Sequence, residues 1–328
     1  MTISRLGISV ALVCAIGSLF LVGCGSNDQP PGTPTTSKAP DAKAKPLVGV
    51  SLLTLTNPFF KEMGDAMVEE GRKKGYEVII TSGDLDPAKQ KDQVKDFLVR
   101  NVSAIILTPC DSKSIGTSIA EANKAGVPVF TADVACIDPD ASVVSHIATD
   151  NFGGGKEAAD AMIEALGGKG KVAIIDHPEV ESVIQRTKGF QEELAAKGAD
   201  IKIVATLPGH GKREDSFNAT QDILQSNPDV DGIFAINDPS ALGAVAAIEA
   251  AGKAGKIKVI GFDGQPEAKQ AIKDGKIYAD AIQYPKKIGA MAIDAIADYL
   301  AGEKPKKLQL IPTGLYRQAD AQKDADLK

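Results

Sequence analysis

The sequence lacks the features that mark several large classes of protein. Its 37 lysines and arginines stand against 43 aspartates and glutamates, which gives a net charge of −6. Since nucleic-acid-binding domains carry an excess of basic residues, this balance argues against DNA or RNA as a partner. Only one long apolar run exists, near the N-terminus, and this excludes a membrane protein with several spans. With 328 residues, 43% of them hydrophobic, the chain is long enough for two domains with buried cores.

Motifs for catalysis and metal binding are also absent. The sequence contains no HExxH pattern, no paired-cysteine zinc spacing and no GxSxG nucleophile motif. The FGGGK segment at 152–156 lacks the Gly-Lys-Ser/Thr ending of a phosphate loop, so we interpret its glycines as sites of close helix packing. The acids near residue 180 are interpreted as a solvated helix start. We therefore expect no enzyme, no metal and no cofactor. The residues concerned are His146, His177, His210, Asp176, Glu179 and Glu181.

The first 45 residues have the pattern of an export signal followed by a tether. Arg5 precedes an apolar stretch whose ending at 21–24, Leu-Val-Gly-Cys, resembles the lipobox of bacterial lipoproteins. We expect removal of a signal peptide at 1–23 and lipid on Cys24, with a plain signal peptide or a signal anchor as the alternative. Residues 24–45 are rich in proline, threonine and lysine without an apolar period, which predicts a flexible tether.

Two cysteines remain in the part of the chain that we expect to fold. Cys110 and Cys136 each follow an apolar run, and the two runs are expected to be neighbouring parallel strands. An exported protein can oxidise such a pair, but spacing alone favours a disulfide and two buried thiols equally.

From residue 46 onward, short β-branched runs alternate with helical stretches rich in alanine, glutamate and lysine. This alternation predicts parallel sheets covered by helices on both faces. Ten strands in one open sheet would be unusual, so we predict an α/β fold of two doubly wound lobes. Three helix starts combine a capping side chain with a proline, at Asn57-Pro58, Asp86-Pro87 and Asp238-Pro239. The runs are 47–53, 76–81, 103–108, 127–131, 143–147, 171–176, 201–206, 231–236, 257–262 and 277–283.

Planar polar side chains follow several of the predicted strands, where ligands of open parallel sheets bind. With two adjacent phenylalanines and an arginine, they suit an uncharged, polyhydroxylated small molecule, because planar groups pair with vicinal hydroxyls and aromatic faces cover C–H surfaces. Each residue also has a plainer interpretation: a helix cap for the strand-end residues, core packing for the phenylalanines, and pairing with Glu181 or Glu192 for the arginine. The residues are Asn57, Phe59, Phe60, Asp133, Arg186, Asn237, Asp238, Asp263 and Gln283.

An ordered set of motifs resembles the ribose-binding protein family, the periplasmic sugar-binding components of ABC importers with the type I two-lobed fold. The similarity extends over nearly all of residues 46–312. The motifs are NPFF at 57–60, TADVA at 131–135, VVSHIATDN at 143–151, RTKGF at 186–190, NPDVDGIFAINDPSALGA at 227–244, VIGFDG at 259–264 and AIQYP at 281–285.

The resemblance implies which side chains meet a sugar, and it also shows two departures. Ribose binders of the family have arginine where this chain has Val134, and an aromatic wall near the position of Gly211. Either His210 substitutes for that wall or the pocket is roomier. Because of both departures, the ligand can be a hexose, another pentose or a polyol instead of ribose. The implied contacts are Asn57, Phe59, Phe60 and Asp133 from the N-terminal lobe, and Arg186, Asn237, Asp263 and Gln283 from the C-terminal lobe and hinge.

The family fold implies an N-terminal lobe of 46–148 plus 284–311 and a C-terminal lobe of 150–282 plus 313–328. We expect crossovers near 148–150, 282–284 and 311–313. Together with the Leu-Val-Gly-Cys motif at 21–24, the resemblance predicts a monomeric, membrane-anchored lipoprotein of the periplasm or cell-surface side. It captures a neutral monosaccharide and delivers it to an ABC permease. The alternative is a sugar or polyol sensor that presents its ligand to a membrane receptor kinase or a chemoreceptor.

Overall fold

The computed structural model describes residues 45–327, and the signal peptide, Cys24 and nearly all of the tether lie outside this range. Within it, twelve strands form two sheets. The strands are β1 Leu47–Leu52, β2 Glu77–Ser82, β3 Ala104–Leu107, β4 Val129–Ala132, β5 His146–Thr149, β6 Lys169–Asp176, β7 Asp200–Pro208, β8 Gly232–Ala235, β9 Lys258–Asp263, β10 Ala279–Ile282, β11 Leu308–Ile311 and β12 Gly314–Arg317.

Helices follow most of the strands and lie against the sheets. They are α1 Pro58–Lys74, α2 Pro87–Val99, α3 Gly116–Lys124, α4 Asn151–Leu166, α5 Glu181–Ala196, α6 Arg213–Ser226, α7 Asp238–Ala250, α8 Pro266–Lys273, α9 Pro285–Leu300 and α10 Gln318–Ala321. None of the helices in residues 45–327 has the length and apolar character needed to cross a bilayer.

The two sheets define two lobes of similar construction. The first sheet has the order β11-β5-β4-β3-β1-β2 and is entirely parallel; the second has the order β12-β10-β9-β8-β6-β7, with only β12 antiparallel to its neighbour. Central strands such as β3 and β8 are buried along their whole length because helices cover both faces. The predicted α/β fold of two doubly wound lobes is confirmed.

The chain passes between the sheets three times. It leaves the first sheet between β5 and α4, returns between β10 and α9, and leaves again between β11 and β12. We call the sheet that contains β1, with α1, α2, α3 and α9, the first lobe, and the sheet that contains β6, with the other helices, the second lobe.

Two of the three predicted helix caps are confirmed, and the third is wrong by one residue. The side chain of Asn57 accepts a hydrogen bond from the backbone of Phe59, and Asp86 accepts from the first turn of α2. At α7 the cap is Asn237, whose Oδ1 accepts from the Ser240 backbone at 2.9 Å. Asp238 lies inside the helix, where its carboxylate accepts instead from the backbone of Gln265 at 2.6 Å.

The glycines after Phe152 allow α4 and α5 to pack closely, as the sequence analysis predicts. A Cβ on Gly155 would lie 2.1 Å from the carbonyl oxygen of Arg186, and one on Gly189 would lie 2.1 Å from that of Phe152. Both contacts are with backbone atoms, so a side chain at either position would force the helices apart. The packing matters for the site below, because Arg186 lies on α5 at this contact.

Cys110 and Cys136 do not form a disulfide in the structure. Cys110 is buried and Cys136 is half-buried, and both are free thiols. Burial raises the pKa of the Cys110 thiol to about 12, so this thiol is protonated at neutral pH.

Candidate ligand-binding site

A cavity of about 610 Å³ lies between the carboxyl ends of strands from both sheets. Its volume is within the range of small-molecule sites. The structure brings all nine side chains singled out from the sequence to this one cavity, together with Val134 and Gly211. The nine are Asn57, Phe59, Phe60, Asp133, Arg186, His210, Asn237, Asp263 and Gln283.

Arg186 is the most completely held of these side chains. It is 4% exposed, donates from Nε to Asn151 Oδ1 at 2.8 Å, and donates from one terminal nitrogen to the carbonyl of Ile236 at 2.6 Å. The same nitrogen lies 3.3 Å from Asp263 Oδ1, and the guanidinium carbon lies 3.8 Å from the centre of the Phe262 ring. Arg186 is therefore oriented rigidly toward the cavity, and it does not pair with Glu181 or Glu192.

Asp263 faces Arg186 from the end of β9. Its Oδ1 also accepts from Gln283 Nε2 at 2.6 Å, and its backbone is strained, with a φ of 121°. Burial raises the pKa of the Asp263 carboxyl, while Arg186, Gln283 and the facing Asn57 lower it. The carboxylate is thus partly compensated by its neighbours.

Asp133 is the least satisfied polar group in the cavity. It follows β4 with a φ of 65°, is 3% exposed, and its Oδ1 has no hydrogen-bond partner. Burial raises the pKa of its carboxyl to about 7; Arg186 lowers the pKa and Asp263 raises it further. A buried acceptor without a donor is costly, so this oxygen is available to a hydroxyl of a bound molecule.

Phe59 and Phe60 form one wall of the cavity from the first turn of α1. Their rings meet edge to face with centroids 5.1 Å apart, and neither side chain is more than 7% exposed. Both residues also belong to the hydrophobic core of the first lobe. Each phenylalanine therefore packs in the core and also lines the cavity.

Gln283 and Asn237 are fixed by the protein itself. Gln283 lies where the chain returns to the first lobe, and its Oε1 accepts from Thr149 Oγ1 at 2.6 Å beside another crossing. Asn237 caps α7 and donates from Nδ2 to the carbonyl of Gly211 at 3.2 Å. The cap interpretation of Asn237 is therefore correct, and its amide also lies at the cavity.

Some residues at the cavity were missed by sequence reasoning. Gln265 lies two residues beyond β9, lines the cavity, and its buried Oε1 has no partner. Asn151 orients Arg186 from the start of α4. His177 lines the cavity beside His210, with ring centroids 5.9 Å apart. Gln265 and His177 each lie just after a strand, and this position in the sequence could have indicated that they reach the cavity.

Two buried acidic residues, Asp238 on α7 and Asp280 on β10, lie close together in the second lobe. Asp238 and Asp280 are buried close enough for each to act on the pKa of the other, and Oδ1 of each has no hydrogen-bond partner. Burial raises the pKa of Asp280 to about 7 and that of Asp238 well above its ordinary value. We therefore expect one of the two carboxyls to keep a proton at neutral pH.

Comparison with known proteins agrees with this architecture. The chain matches the family model described as periplasmic binding protein domain over residues 48–304. It is 37% identical over 265 residues to the ribose import binding protein RbsB of Salmonella typhimurium, over 80% of this chain and 88% of that protein. It is 33% identical over 311 residues to RbsB of Bacillus subtilis, over 94% and 99% of the two chains.

A solved structure shows the same fold with a ligand bound. A periplasmic solute-binding protein from Actinobacillus succinogenes with D-allose has a TM-score of 0.79 and 32% identity, over 85% of this chain and 100% of that one.

Two lobes around a buried polar cavity, together with these relatives, define a solute-binding protein of the transporter-associated type. The chain belongs to the periplasmic binding protein domain family, as a ribose-binding-like member of type I. The resemblance stated from the sequence is confirmed, and so is the prediction that the protein is not an enzyme, since the family binds solutes without catalysis. Membership also implies an exported, periplasmic protein.

Proposed function

We propose that the cavity captures one neutral monosaccharide or cyclic polyol for an ABC importer. The observation that carries this proposal is the unpartnered, buried Oδ1 of Asp133, close to the Arg186–Asp263 pair of the opposite lobe. Vicinal hydroxyls supply donors to Asp133 and Asp263, while their oxygens accept from Arg186. The family's arginine is replaced by the apolar Val134, which favours a ligand other than ribose.

We infer that capture proceeds by closure of the two lobes. Asn57 and Asp133 reach the cavity from the first lobe, whereas Arg186 and Asp263 reach it from the second, so a ligand contacts both sets only when the cleft is shut. The moving units are 46–148 plus 284–311 and 150–282 plus 313–328. The three chain crossings act as the hinge, and the bound ligand shifts the population toward the closed form.

The proposal extends to delivery and location. The closed form is the one that a permease recognises, and Cys24 carries a lipid that holds the protein at the membrane outside the cytoplasm. Membership of the family supports the transporter role, and the Leu-Val-Gly-Cys ending at 21–24 supports the anchor. Membrane extraction of a Cys24→Ala protein tests the anchor: the lipid-bound fraction disappears, and an unchanged partition contradicts it.

A thermal-shift panel tests the ligand class. Ribose, allose, tagatose, xylitol and myo-inositol are titrated against the full-length protein in detergent, because a ligand that binds only the folded state raises the Tm. We expect one neutral compound to raise the Tm. Asp133→Asn and Asp263→Asn, which keep the size of each side chain, greatly reduce the shift.

The control for these variants is Asp140→Asn, since Asp140 is an exposed acid a few residues beyond Asp133. It keeps the full shift. A flat panel of neutral sugars and polyols contradicts the proposal, as does a shift that survives in both cavity variants.

A further inference from the structure

Two histidines and a glutamate meet at the rim of the cavity. His177 follows β6 directly, and His210 follows β7, which pairs in parallel with β6 so that Asp176 lies opposite Pro208. Glu179 lies between the two rings: its Oε2 is 3.5 Å from His177 Nε2 and 3.8 Å from His210 Nδ1. One donor atom from each residue lies within 4.8 Å of the other two.

These separations are close to those of a metal site. Zinc bonds of about 2.0–2.1 Å to nitrogen and oxygen in a tetrahedron place ligand atoms roughly 3.4 Å apart. His177 is almost fully buried and provides a fixed point, whereas the side chains of Glu179 and His210 are 42% and 44% exposed. Small rotations of the two exposed side chains therefore bring all three atoms to coordination distance.

Neither imidazole is used elsewhere in the described part of the chain. Among residues 45–327 no hydrogen bond to a ring nitrogen of His177 or His210 is present apart from the approach of Glu179. The local backbone also favours this arrangement. His210 adopts a φ of 48°, in the left-handed region that few residues other than glycine occupy, and a Cβ on Gly211 would lie 3.4 Å from His177 Nδ1. The fold thus holds an imidazole in a strained position beside a second imidazole and a carboxylate.

We propose that His177, Glu179 and His210 bind one divalent transition-metal ion of the zinc class. Two imidazoles and one carboxylate form a borderline ligand set, which selects such ions over Mg²⁺ and Ca²⁺. Three protein ligands leave a fourth position open. Because His177 and His210 both line the cavity, that position faces the cavity and takes water or a hydroxyl of a bound molecule.

This metal site does not depend on the sugar proposal. All three ligands belong to the second lobe, so the ion binds without any solute and without closure. A titration with metal alone therefore tests the site, and its failure leaves the thermal-shift test of the sugar untouched.

The experiment is a titration of chelator-treated, full-length protein in detergent with Zn²⁺, read by competition with a chromophoric chelator. We expect one equivalent to bind, and Co²⁺ in its place to give the visible spectrum of a tetrahedral site without sulfur-to-metal charge transfer, which excludes the free cysteines as ligands. Glu179→Gln and His210→Asn each raise the Kd by at least about 100-fold, because each removes a direct ligand, and loss of a residue that only orients a ligand already costs about 10- to 100-fold. Asparagine suits the positive φ at 210.

The matched control is Glu181→Gln at the start of α5, since the carboxylate of Glu181 accepts a hydrogen bond from Gln185 and makes no contact with either histidine. It binds Zn²⁺ as the unchanged protein does. The proposal is overturned if micromolar Zn²⁺ does not bind, or if Glu179→Gln and His210→Asn bind it with unchanged Kd. Melting temperatures measured in chelator show that the variants are folded.

Discussion

At the scale of single residues, the charged side chains of the cavity differ in how fully protein hydrogen bonds compensate their charges. Nε and one terminal nitrogen of Arg186 donate to protein acceptors, whereas Asp133 is buried with one oxygen unpaired. An ionised carboxylate in that state is costly, which is why burial raises the pKa of Asp133 to about 7. A ligand hydroxyl that donates to Asp133 relieves this cost. Binding of a neutral solute is therefore linked to the protonation of one residue.

The first prediction concerns the pH dependence of binding. A hydroxyl donor stabilises the ionised form, so the pKa of Asp133 falls when the ligand binds and a proton is released. Affinity for the neutral solute found by the thermal-shift panel then rises with pH up to about 7 and levels off above it. Below pH 7 the Kd rises by up to about tenfold per pH unit. Isothermal titration from pH 5 to 8 measures this.

Asp133→Asn supplies the control, because its amide does not titrate. The variant binds weakly with a much flatter pH profile, and the remaining slope comes from Asp263, the other acid at Arg186. Asp140→Asn keeps the slope of the unchanged protein. A Kd independent of pH from 5 to 8 in the unchanged protein would show that the ligand does not donate to Asp133.

At the scale of secondary-structure elements, the contact between α4 and α5 determines the position of Arg186. Gly155 on α4 lies directly against the backbone of Arg186, with no room for even one methyl group. The start of the same helix also provides Asn151, which accepts from Arg186 Nε. One helix contact thus fixes both the backbone and the side chain of this cavity residue.

The second prediction is that Gly155→Ala loosens this contact. The added Cβ would lie 2.1 Å from a carbonyl oxygen, so α4 and α5 must separate. We expect a loss of about 1–3 kcal/mol in the free energy of unfolding, together with weaker solute binding, because Arg186 moves with its helix. Urea denaturation and a binding isotherm measure the two effects. Gly167→Ala, just after the end of α4, is the control for the binding measurement. A Cβ on Gly167 meets nothing within 4 Å, so this substitution lowers stability through its left-handed backbone but leaves Arg186 in place.

The third prediction concerns Asp280 on β10 and Asp238 on α7. In the folded state Asp280 holds its proton up to about pH 7, whereas in the unfolded chain it releases it near pH 4. The native state therefore binds more protons between these pH values, and the contribution of Asp280 to stability falls as pH rises from about 4 to 7. Arg186 and Asp263 also act on this carboxyl.

Asp280→Asn removes that contribution while keeping the geometry. Its amide oxygen accepts from Gly264 N as Asp280 Oδ2 does at 2.9 Å, and its amide nitrogen donates to Asp238. Relative to the unchanged protein, the variant gains about 2 kcal/mol of unfolding free energy between pH 5 and pH 7. Urea denaturation at both pH values measures the difference. The buried His146 titrates equally in both proteins and cancels, and an unchanged difference would contradict the shared proton.

The elements were largely predictable from the sequence, whereas several contacts were not. All ten apolar runs correspond to strands, because β-branched runs between helical stretches are a strong local signal. The edge strands β11 and β12 were not predicted; each is short, includes a polar residue, Gln309 or Arg317, and is only partly buried. Position after a strand was enough to predict that Asp133 and Asp263 reach one cavity.

What sequence could not supply was the pairing between distant residues. His177 and His210 are 33 positions apart and form no local metal-binding motif, and only the pairing of β6 with β7 brings them together. Asp238 carries the signal of a helix cap because it precedes Pro239, but its neighbour Asn237 is the residue that caps α7. Whether the ring of strand-end residues binds a sugar stays a prediction.

At the scale of the whole molecule, the two lobes touch through a loop as well as through the chain crossings. Ser112 of the first lobe donates from its backbone to the carbonyl of Glu179 at 3.0 Å and accepts on Oγ from the backbone of Glu181 at 2.9 Å. Ser112 is buried, and both of its partners lie just before or at the start of α5, the helix that carries Arg186. Under the proposed closure, opening the lobes separates Ser112 from Glu179 and Glu181, so we expect this contact to stabilise the closed arrangement alone.

The fourth prediction follows from that contact. Ser112→Ala removes the side-chain acceptor and leaves the backbone hydrogen bond, at a cost of about 1 kcal/mol to the closed form alone. Because the cost falls on one of two states, solute binding weakens by about fivefold while the free energy of unfolding of the open form is nearly unchanged. Small-angle scattering at a fixed, subsaturating concentration of the solute shows a smaller decrease in radius of gyration than for the unchanged protein. Ser114→Ala, an exposed serine two residues along the same loop, leaves both the Kd and the scattering change as they were. Equal Kd values for Ser112→Ala and the unchanged protein would mean that the Ser112 contact is present in the open form too, and closure would then rest on the ligand alone.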